Sequence, residues 1–382
     1  MTLSRFSFPT TIHFGAGARD LIAADLQAAG VRRPLVVTDK GVSPLPWFGT
    51  LVAELNDAGL VAEAFDGVWG NPVKSQVSAG VEAFAAHGAD AIVGVGGGAA
   101  LDVAKAIGLM ATHPGDLFDY EDEMPGARPI GPTVPYFVAI PTTAGTGSEV
   151  GRSAVIADDD THVKKIIFSP ELLAKAVFAD PELTVGLPGP ITAATGLDAI
   201  THNIEAYLAK AYHPICDGIA LEGLRLGAVN LATAVSDPSN LDARGGMLMS
   251  SMMGAIAFQK GLGLVHSTAH ALGTIADMHH GLANGVMIDH ALAHNVDAVP
   301  ERFVTMAITV GLPDPTPTAF LAWLADLKAE VAIAPDLTAT EVDPAQAEAL
   351  AEFALGDACH LNNPRDCTLE DFRRIFAAAF AS

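Results

Sequence analysis

The 382-residue chain is apolar and acidic: half of its residues are hydrophobic, 37 are glycine, and the formal net charge is −23. A chain of this length and apolar content can bury a core in two domains, and it is not typical of a disordered protein. The negative charge disfavours binding to nucleic acid or anionic membrane surfaces, and is typical of a soluble protein surface.

The first half of the chain alternates short apolar runs with segments of helical pattern. Strands are predicted at 33–38, 61–65, 89–95 and 134–140, and helices at 51–58, 73–87 and 99–110. Such alternation is typical of a parallel sheet covered by helices.

From about Leu187 the chain changes to long segments rich in Ala and Leu. Helices are predicted at 191–211, 215–236, 242–258, 264–277 and 284–295. We therefore predict an α/β domain over residues 1–187 and an all-α domain over residues 188–382, with the boundary near Pro188-Gly-Pro190.

Three cysteines, Cys216, Cys359 and Cys367, are few, odd in number and without the spacing of metal ligands. We expect reduced thiols and a cytoplasmic protein rather than a disulfide framework. The first residues lack the apolar stretch of a secretory signal. We find no uncharged apolar run of about 18 residues in the sequence, so we expect no membrane span.

A glycine cluster, Gly94-Val-Gly-Gly-Gly-Ala99, lies between a predicted strand and a predicted helix. Backbone amides at such a turn, helped by the helix dipole, can bind phosphate, although a tight strand–helix turn alone would also explain the glycines. Asp102 and Lys105 on the following helix favour the phosphate interpretation, but Asp102 could equally be a helix N-terminal charge.

Asp39 ends an earlier predicted strand, where its carboxylate could accept from a ribose 2′-hydroxyl and repel a 2′-phosphate. In an ordinary Rossmann domain the acid follows the glycine loop by about 20 residues, whereas here it precedes the loop. We therefore expect a different strand order. The segment Pro141–Glu149 follows another strand and offers hydroxyls and backbone at the same sheet edge.

Histidine is concentrated between Gly261 and His294, which hold six of the thirteen. Upstream, Asp198 and His202 are spaced i and i+4, on one face of a helix. A carboxylate with several imidazoles is a ligand set for a divalent transition metal, whereas a lone buried histidine is more often structural.

Together these motifs resemble the iron-containing (group III) alcohol dehydrogenases over nearly the whole chain. The matching segments are 14–17, 37–39, 70–72, 96–105, 141–149, 180–184, 194–205, 266–280 and 363–365. The resemblance implies a Rossmann-like nucleotide-binding α/β domain and a helical metal-binding domain, in a dehydroquinate synthase-like architecture with the active site between them. It also implies a homodimer or larger homo-oligomer.

Carried over residue by residue, the resemblance implies four metal ligands, ten residues that bind NAD and one catalytic histidine. The metal ligands would be Asp198, His202, His266 and His280, with His270 one turn after His266 as a catalytic residue or, alternatively, a ligand. The residues that bind NAD would be Asp39, Asn71, Gly97, Gly98, Ala99, Asp102, Thr142, Thr143, Lys164 and Leu183.

This chain departs from the family pattern at several positions. Ala99 replaces a usual Ser, so one hydroxyl contact to phosphate is lost, and Gly70 stands where Pro is usual. Gly151-Arg152 stands where many relatives have Thr. His279 replaces a Pro beside His280, which leaves a one-residue ambiguity in that ligand.

The resemblance implies an NAD-dependent alcohol dehydrogenase that transfers a hydride between NAD(H) and a small primary alcohol or aldehyde, or a hydroxyacid and oxoacid. The family name favours Fe²⁺, while Zn²⁺ suits the same ligands. We expect the metal to act as a Lewis acid and His270 to relay the proton. Arg152 could anchor a carboxylate or sulfonate of the substrate, or be a surface residue paired with an acid.

Two other functions are compatible with the motifs. A dehydroquinate synthase-like lyase would use NAD transiently, but its phosphate-bearing substrate needs a basic pocket, and Lys260 is one of few basic residues near the histidines. A non-catalytic metal- or nucleotide-binding protein would keep both sites without turnover. In every case the predicted partner is a small molecule, not nucleic acid or a membrane.

Overall fold

The computed structural model describes residues 8, 10–122 and 124–381. Those residues form two compact units, which we call the N-terminal and the C-terminal unit. The N-terminal unit comprises Phe8–Thr143 and Ser148–Thr184. The C-terminal unit comprises the chain from Val185 onward together with the short segment Ala144–Gly147. The sequence prediction did not include this excursion of four residues from one unit into the other.

The N-terminal unit is built on a six-stranded sheet in which every pairing is parallel. In chain order its elements are β1 Thr11–Phe14, α1 Ile22–Ala28, β2 Pro34–Asp39, α2 Pro46–Asp57, β3 Glu63–Val68, α3 Lys74–His87, β4 Ala91–Gly96, α4 Gly98–Met110, β5 Tyr136–Pro141, an antiparallel hairpin of β6 Ser153–Ala157 and β7 Lys164–Phe168, and β8 Ala176–Ala179.

The central strands are recognisable in the sequence because both of their faces are buried. Residues 35–37 of β2 and 91–93 of β4 are fully buried, so each strand is a continuous apolar run. The sequence prediction missed β1, β8 and the hairpin. β1 is a four-residue strand with half-exposed and exposed positions at the sheet edge, and β7 carries Lys164 and Lys165, so neither has a buried apolar run.

The strand order, β1-β8-β5-β4-β2-β3, explains why Asp39 precedes the glycine cluster. From β2 the chain first adds β3 on one side and then returns to place β4 on the other side. The carboxyl ends of β2 and β4 therefore flank the point where the sheet changes its direction of growth, which is where doubly wound sheets bind ligands. Asp39 ends β2 and Gly96 ends β4, so the two lie on adjacent strands.

The C-terminal unit is helical. Its helices are α5 Gly189–Leu208, α6 Pro214–Ser236, α7 Leu241–Ala257, α8 Leu264–Ile275, α9 His280–Leu292, α10 Pro300–Thr309, α11 Pro317–Glu330, α12 Ala347–Gly356 and α13 Leu369–Ala379. The helix α5 is central: nearly every residue from Thr192 to Leu208 is buried, and it packs against α6, α7 and α9. The predicted fold class, a parallel α/β N-terminal region followed by a helical C-terminal region, is confirmed.

Among the described residues, α6 is long and apolar enough by length and composition to cross a membrane, and the bent pair Leu241–Lys260 and Leu264–Ile275 passes the same test if counted as one span. Core helices of soluble proteins also pass this test. Here α6 packs against α5 and α7.

Candidate active site

One carboxylate of the C-terminal unit faces three imidazoles. Asp198 and His202 lie one turn apart on α5, His266 lies in the first turn of α8, and His280 is the first residue of α9. The Asp198 Oδ1 atom is 3.8 Å from Nε2 of His202, 3.7 Å from Nε2 of His266 and 3.6 Å from Nε2 of His280. The structure thus brings together all four side chains that the resemblance implied as metal ligands.

The ligand atoms of Asp198, His202 and His266 lie within 4.8 Å of one another and could hold one metal ion, with His280 beside them at 3.6 Å from Asp198. Bonds of about 2.1 Å in a tetrahedral site place neighbouring ligand atoms about 3.4 Å apart. The observed 3.6–3.8 Å is close to that value and longer than a hydrogen bond; van der Waals contact alone also gives such distances, so the chemistry of the donor set carries the metal interpretation. Asp198, His202 and His266 are all nearly completely buried, so their polar atoms depend on each other or on a bound cation.

The electrostatics of the cluster favour the ligand forms of Asp198 and His202, whereas a metal ion must displace a proton from His266. Burial opposes ionisation of Asp198, but the surrounding imidazoles outweigh it and hold the pKa of this carboxyl far below its usual range. Burial lowers the pKa of His202 to about 4, which keeps its imidazole neutral. Burial also disfavours the charged form of His266, but the negative charges of Asp198 and of Glu205, the second hydrogen-bonded to Nδ1, prevail and raise its pKa to about 9.

The neighbouring histidines His279 and His280 have different roles in the structure. The Nδ1 atom of His279 accepts a hydrogen bond from the Leu282 amide at 3.4 Å and caps the N-terminus of α9. Only the next residue, His280, has its Nε2 directed at Asp198. Of the two adjacent histidines, His280 is therefore the one that lies beside the Asp198 carboxylate.

A second carboxylate, Glu205, orients His266 from the side opposite to Asp198. Its Oε2 lies 2.6 Å from Nδ1 of His266, and its Oε1 accepts from the Val265 amide at 2.6 Å. The sequence offered only a weak signal for this role, because Glu205 follows His202 by three residues on the same helix and could have been a simple cap.

Asn284, one turn after His280 on α9, also contacts the cluster and was missed by sequence reasoning. Its Nδ2 donates to Asp198 Oδ1 at 2.8 Å and lies 3.4 Å and 3.3 Å from Nε2 of His266 and His280. Asn284 is completely buried. It therefore fixes the carboxylate that the three imidazoles face.

His270 lies beside the cluster but bonds to a different carboxylate. Its ring stacks on His280 with centroids 5.4 Å apart, and its Nδ1 lies 2.7 Å from Asp357 Oδ2. Asp357 Oδ1 accepts from the Ser267 hydroxyl at 2.7 Å. Although burial opposes ionisation of Asp357, the hydrogen bond with His270 holds its pKa well below the usual range. Asp357 lies 87 residues from His270, and no motif in the sequence connects them.

In the N-terminal unit, the turn after β4 consists of glycines and lies where the sheet changes its direction of growth, between β2 and β4. Gly96 has φ +146°, and a Cβ there would lie 2.8 Å from Asp39 Oδ2. A Cβ on Gly97 would lie 3.2 Å from Thr143 Oγ1. The Thr142 amide donates to the Gly96 carbonyl at 3.0 Å. Because α4 begins at Gly98, its first amides have no intrahelical partners and can bind an anion.

Asp39 is held in place by its own turn. Its Oδ1 accepts from the amides of Gly41 at 2.8 Å and Val42 at 3.0 Å. Its Oδ2 lies against Gly96 and makes no hydrogen bond with the described residues. One oxygen of this half-buried carboxylate is therefore available to a ligand in the crevice.

The other residues predicted to bind NAD lie around the same unit. Ala99 is in the first turn of α4, Leu183 is buried in the 3₁₀ turn after β8, Asn71 is exposed after β3, and Lys164 begins β7. Thr142 and Thr143 follow β5, which neighbours β4 in the sheet.

Asp102 differs from these because both of its oxygens bond within the protein. Its Oδ1 accepts from the Ser148 hydroxyl at 2.5 Å and its Oδ2 from the Val155 amide at 2.9 Å. The fully buried Lys105 lies 3.5 Å from Asp102 Oδ1 and donates to the Ser148 and Ser153 carbonyls. The pair attaches α4 to the segment that leads into the hairpin.

Arg152 lies in that same segment of the N-terminal unit. Its guanidinium stacks over the ring of Phe168, with the carbon 5.4 Å from the ring centroid. The ring supports the charged group by a cation–π contact and leaves the edge of the guanidinium for other partners.

Comparison with known proteins agrees with this geometry. Two family models match, iron-containing alcohol dehydrogenase over residues 9–181 and the C-terminal region of Fe-containing alcohol dehydrogenases over residues 192–380. A 4-hydroxybutyrate dehydrogenase of Cupriavidus necator is 39% identical over 96% of this chain and 97% of its own length.

Solved structures of similar proteins superpose on the whole chain. A 1,3-propanediol oxidoreductase has a TM-score of 0.92 at 36% identity, covering 99% of this chain and all of its own. A sulfoacetaldehyde reductase from Bifidobacterium kashiwanohense, solved with NAD⁺, has a TM-score of 0.93 at 27% identity, with complete coverage of both chains. The chain therefore belongs to the iron-containing alcohol dehydrogenase family, which confirms the predicted family, the class of oxidoreductase acting on small alcohols, and the cofactor classes NAD(H) and a divalent metal.

Proposed function

We propose that this protein interconverts a small primary alcohol and its aldehyde with NAD(H), using a divalent metal held by Asp198, His202, His266 and His280. The observation that carries the proposal is the approach of three imidazole nitrogens to one buried carboxylate oxygen at 3.6–3.8 Å. Three neutral imidazoles and one carboxylate suit Fe²⁺ or Zn²⁺. We favour Fe²⁺ from the family, with Zn²⁺ as the alternative that supply could select.

The side chains of this chain divide the chemistry among themselves. When bound, the metal supplies a Lewis acid that lowers the pKa of an alcohol hydroxyl, and NAD supplies the hydride acceptor. The buried carboxylate and imidazoles exclude water from the ligand positions. Asn284 and Glu205 keep Asp198 and His266 oriented through hydrogen bonds of 2.8 Å and 2.6 Å.

His270 is the residue that we propose carries the proton to solvent. Its side chain is 25% exposed, whereas that of His266 is 1% exposed, so it connects the buried cluster with water. Asp357 bonds to Nδ1, which leaves Nε2 as the atom that exchanges the proton. A histidine suits this role because its imidazole can take up a proton on one nitrogen while the other stays hydrogen-bonded.

We propose that NAD(H) binds at the carboxyl edge of the parallel sheet. The pyrophosphate would contact the amides of Gly97, Gly98 and Ala99 at the start of α4, and Asp39 Oδ2 would accept from the adenosine ribose. Thr142, Thr143, Asn71, Lys164 and Leu183 complete the proposed cofactor site. We assign Asp102 to this site only through its attachment of α4, since both of its oxygens are bonded within the protein.

The first test is NADH oxidation with short aldehydes, using protein stripped of metal and then reloaded anaerobically with Fe²⁺ or Zn²⁺. Metal-dependent turnover is expected, and His270→Ala should lower kcat while keeping a full complement of metal. A stoichiometrically loaded protein without turnover on any aldehyde would contradict the proposed reaction. An unchanged kcat in His270→Ala would remove that residue from the proton path.

A second candidate substrate is an ω-oxo acid and its hydroxy acid. The observation that favours it is Arg152, whose guanidinium is supported on the ring of Phe168. Relatives named for anionic substrates, the 4-hydroxybutyrate dehydrogenase and the sulfoacetaldehyde reductase, add support. A bidentate guanidinium is the group that proteins use to bind carboxylate or sulfonate.

A comparison of acidic and neutral aldehydes tests this candidate. Arg152→Ala is expected to raise KM about tenfold or more for succinic semialdehyde and leave KM for propanal unchanged, because one charge-assisted contact contributes about 1.5–3 kcal/mol. Arg33→Ala is a suitable control, since Arg33 is committed to the His87 carbonyl. Equal changes for both aldehydes would exclude Arg152 as an anion anchor.

We also propose a cytoplasmic homo-oligomer, a homodimer or larger. Free thiols at Cys216, Cys359 and Cys367 support a reducing compartment. The strongly acidic net charge supports a small-molecule substrate rather than nucleic acid or a membrane surface. Sedimentation of the purified protein tests the oligomeric state.

A further inference from the structure

We propose that Glu205 sets the metal affinity of the C-terminal unit by holding His266 in the tautomer that can bind metal. The inference rests on the metal centre of the proposed function. It assigns Glu205 as a positioning residue, which acts on the metal through His266 and not by contact.

The contact between the two side chains is short and isolated from water. Glu205 Oε2 lies 2.6 Å from His266 Nδ1, and each of the two side chains is at most 2% exposed. On the other edge of the imidazole, Nε2 lies 3.7 Å from Asp198 Oδ1. A neutral imidazole carries one N–H, and a carboxylate can only accept. In the neutral form that binds metal, the proton is therefore on Nδ1, and Nε2 presents a lone pair towards Asp198.

Glu205 is itself fixed by the start of α8. Its Oε1 accepts from the Val265 amide at 2.6 Å and its Oε2 from the His266 amide at 3.3 Å, so it uses the free amides of the helix N-terminus. A Cβ at Gly263 would lie 2.7 Å from Oε1, so only glycine leaves room for the carboxylate there. The acceptor is thus held rigidly against Nδ1.

The same contacts make Glu205→Gln a test of hydrogen-bond polarity. The Val265 amide can only donate, so the glutamine oxygen must take the place of Oε1 and its NH₂ group must face Nδ1 of His266. An NH₂ group donates to Nδ1 and moves the imidazole proton to Nε2, where it blocks the ligand position. Size and the helix-capping bond from the Val265 amide are retained, while the tautomer is reversed and the longer bond of 3.3 Å from the His266 amide is lost.

A matched control lies one turn further along α8. Asp357 bonds to Nδ1 of His270 at 2.7 Å, as Glu205 does to His266, but His270 does not face Asp198. Asp357→Asn makes the same carboxylate-to-amide change next to a histidine outside the ligand set. It should alter the proton path without altering metal binding at Asp198; since His270, Asp357 and Cys359 also lie within 4.8 Å of one another, the Co²⁺ spectrum serves to show which group holds the metal.

The experiment measures the Zn²⁺ affinity of the metal-stripped full-length protein by competition with a chromophoric chelator. Loss of a second-shell carboxylate typically costs about 10- to 100-fold in affinity, and we expect that range for Glu205→Gln. The Zn²⁺ affinity of Asp357→Asn should stay within about twofold of the wild-type value, because His270 is not one of the proposed ligands. Co²⁺ substitution adds a direct readout, because the visible absorption of the Glu205→Gln site should change with the loss of one imidazole.

Wild-type affinity in Glu205→Gln would overturn the inference, as would an equal loss in Asp357→Asn. If Glu205→Gln does not fold, Glu205→Ala removes the acceptor without offering a donor, and wild-type affinity in that variant is the overturning result. The measurement uses no substrate, so a protein without alcohol turnover but with the expected affinities sustains the inference while refuting the proposed function. An unchanged protein that binds no Zn²⁺ refutes both.

Discussion

Replacing Asp39 by Asn should relax the discrimination against NADPH without disturbing the backbone around it. Asp39 Oδ1 accepts from the amides of Gly41 and Val42, and the Asn carbonyl oxygen can keep both bonds. The second oxygen, against Gly96, becomes an NH₂ group. The substitution therefore removes the charge that faces the crevice and keeps the turn that holds it.

The expected magnitude follows from the charge of the 2′-phosphate. A phosphate monoester carries about −1.5 to −2 charges at neutral pH. At about 4 Å its repulsion by a carboxylate is about 1 kcal/mol per unit charge in water and about 4 kcal/mol at an effective dielectric constant of about 20. Since Asp39 is only half-buried, we take the low end, about 2 kcal/mol, which corresponds to about 30-fold in kcat/KM.

The assay is aldehyde reduction with NADH and NADPH in parallel. Asp39→Asn should raise kcat/KM for NADPH by at least about tenfold and lower it for NADH, because a charged acceptor for the ribose hydroxyls is lost. Asp66→Asn is the control for net charge, since Asp66 is an exposed residue of β3 paired with Lys40. An NADPH value that stays unchanged in Asp39→Asn, or that rises equally in the control, would refute the assignment.

Three further predictions follow from buried polar contacts. Asn284→Ala removes the donor on Asp198, so metal content after dialysis should fall and stability should drop by about 1–3 kcal/mol; wild-type values for both would contradict its positioning role. Asp102→Ala leaves the buried Lys105 without the carboxylate of Asp102, so urea denaturation should show a free energy of unfolding lower by about 3 kcal/mol or more, with little change in KM for NADH. A raised KM for NADH at unchanged stability would instead place Asp102 in the cofactor site. Burial raises the pKa of Glu149 to about 7, above the unfolded value of about 4.5, so between these values the folded chain binds more protons and its stability falls as pH rises. Glu149→Gln should lose this dependence, and an identical change of melting temperature with pH in wild type and variant from about pH 4.5 to 8 would disprove it.

Local patterns in the sequence predicted several features that depend on residues close in the chain, although the short buried strand β8 was missed. The buried strands β2, β4 and β5 are apolar runs, and the i, i+4 spacing of Asp198 and His202 requires only a helix. The boundaries were less well predicted. Helix α2 begins at Pro46, five residues before its predicted start at Leu51, because Pro46 can occupy the first turn of a helix.

Partners separated by long stretches of chain could not be predicted in this way. Glu205 and His266 are 61 residues apart, and His270 and Asp357 are 87 residues apart. Each acid is an ordinary helical or loop carboxylate when taken alone. Only the tertiary structure, which brings the start of α8 beside Glu205 of α5 and packs α8 against α12, determines which histidine each one contacts.

By itself, the sequence determined the class of fold and the family, because periodicity and motif spacing are properties of the chain; the ligand-bearing residues that the family resemblance implies stay a prediction. The tertiary structure alone decided the order of the strands, which makes Asp39 and Gly96 neighbours although 57 residues separate them. It also decided the hydrogen bonds that orient His266, His270 and Asp198. A buried carboxylate or imidazole must find its partner wherever the fold places one, since leaving it unpaired away from water costs several kcal/mol, of order 3–5.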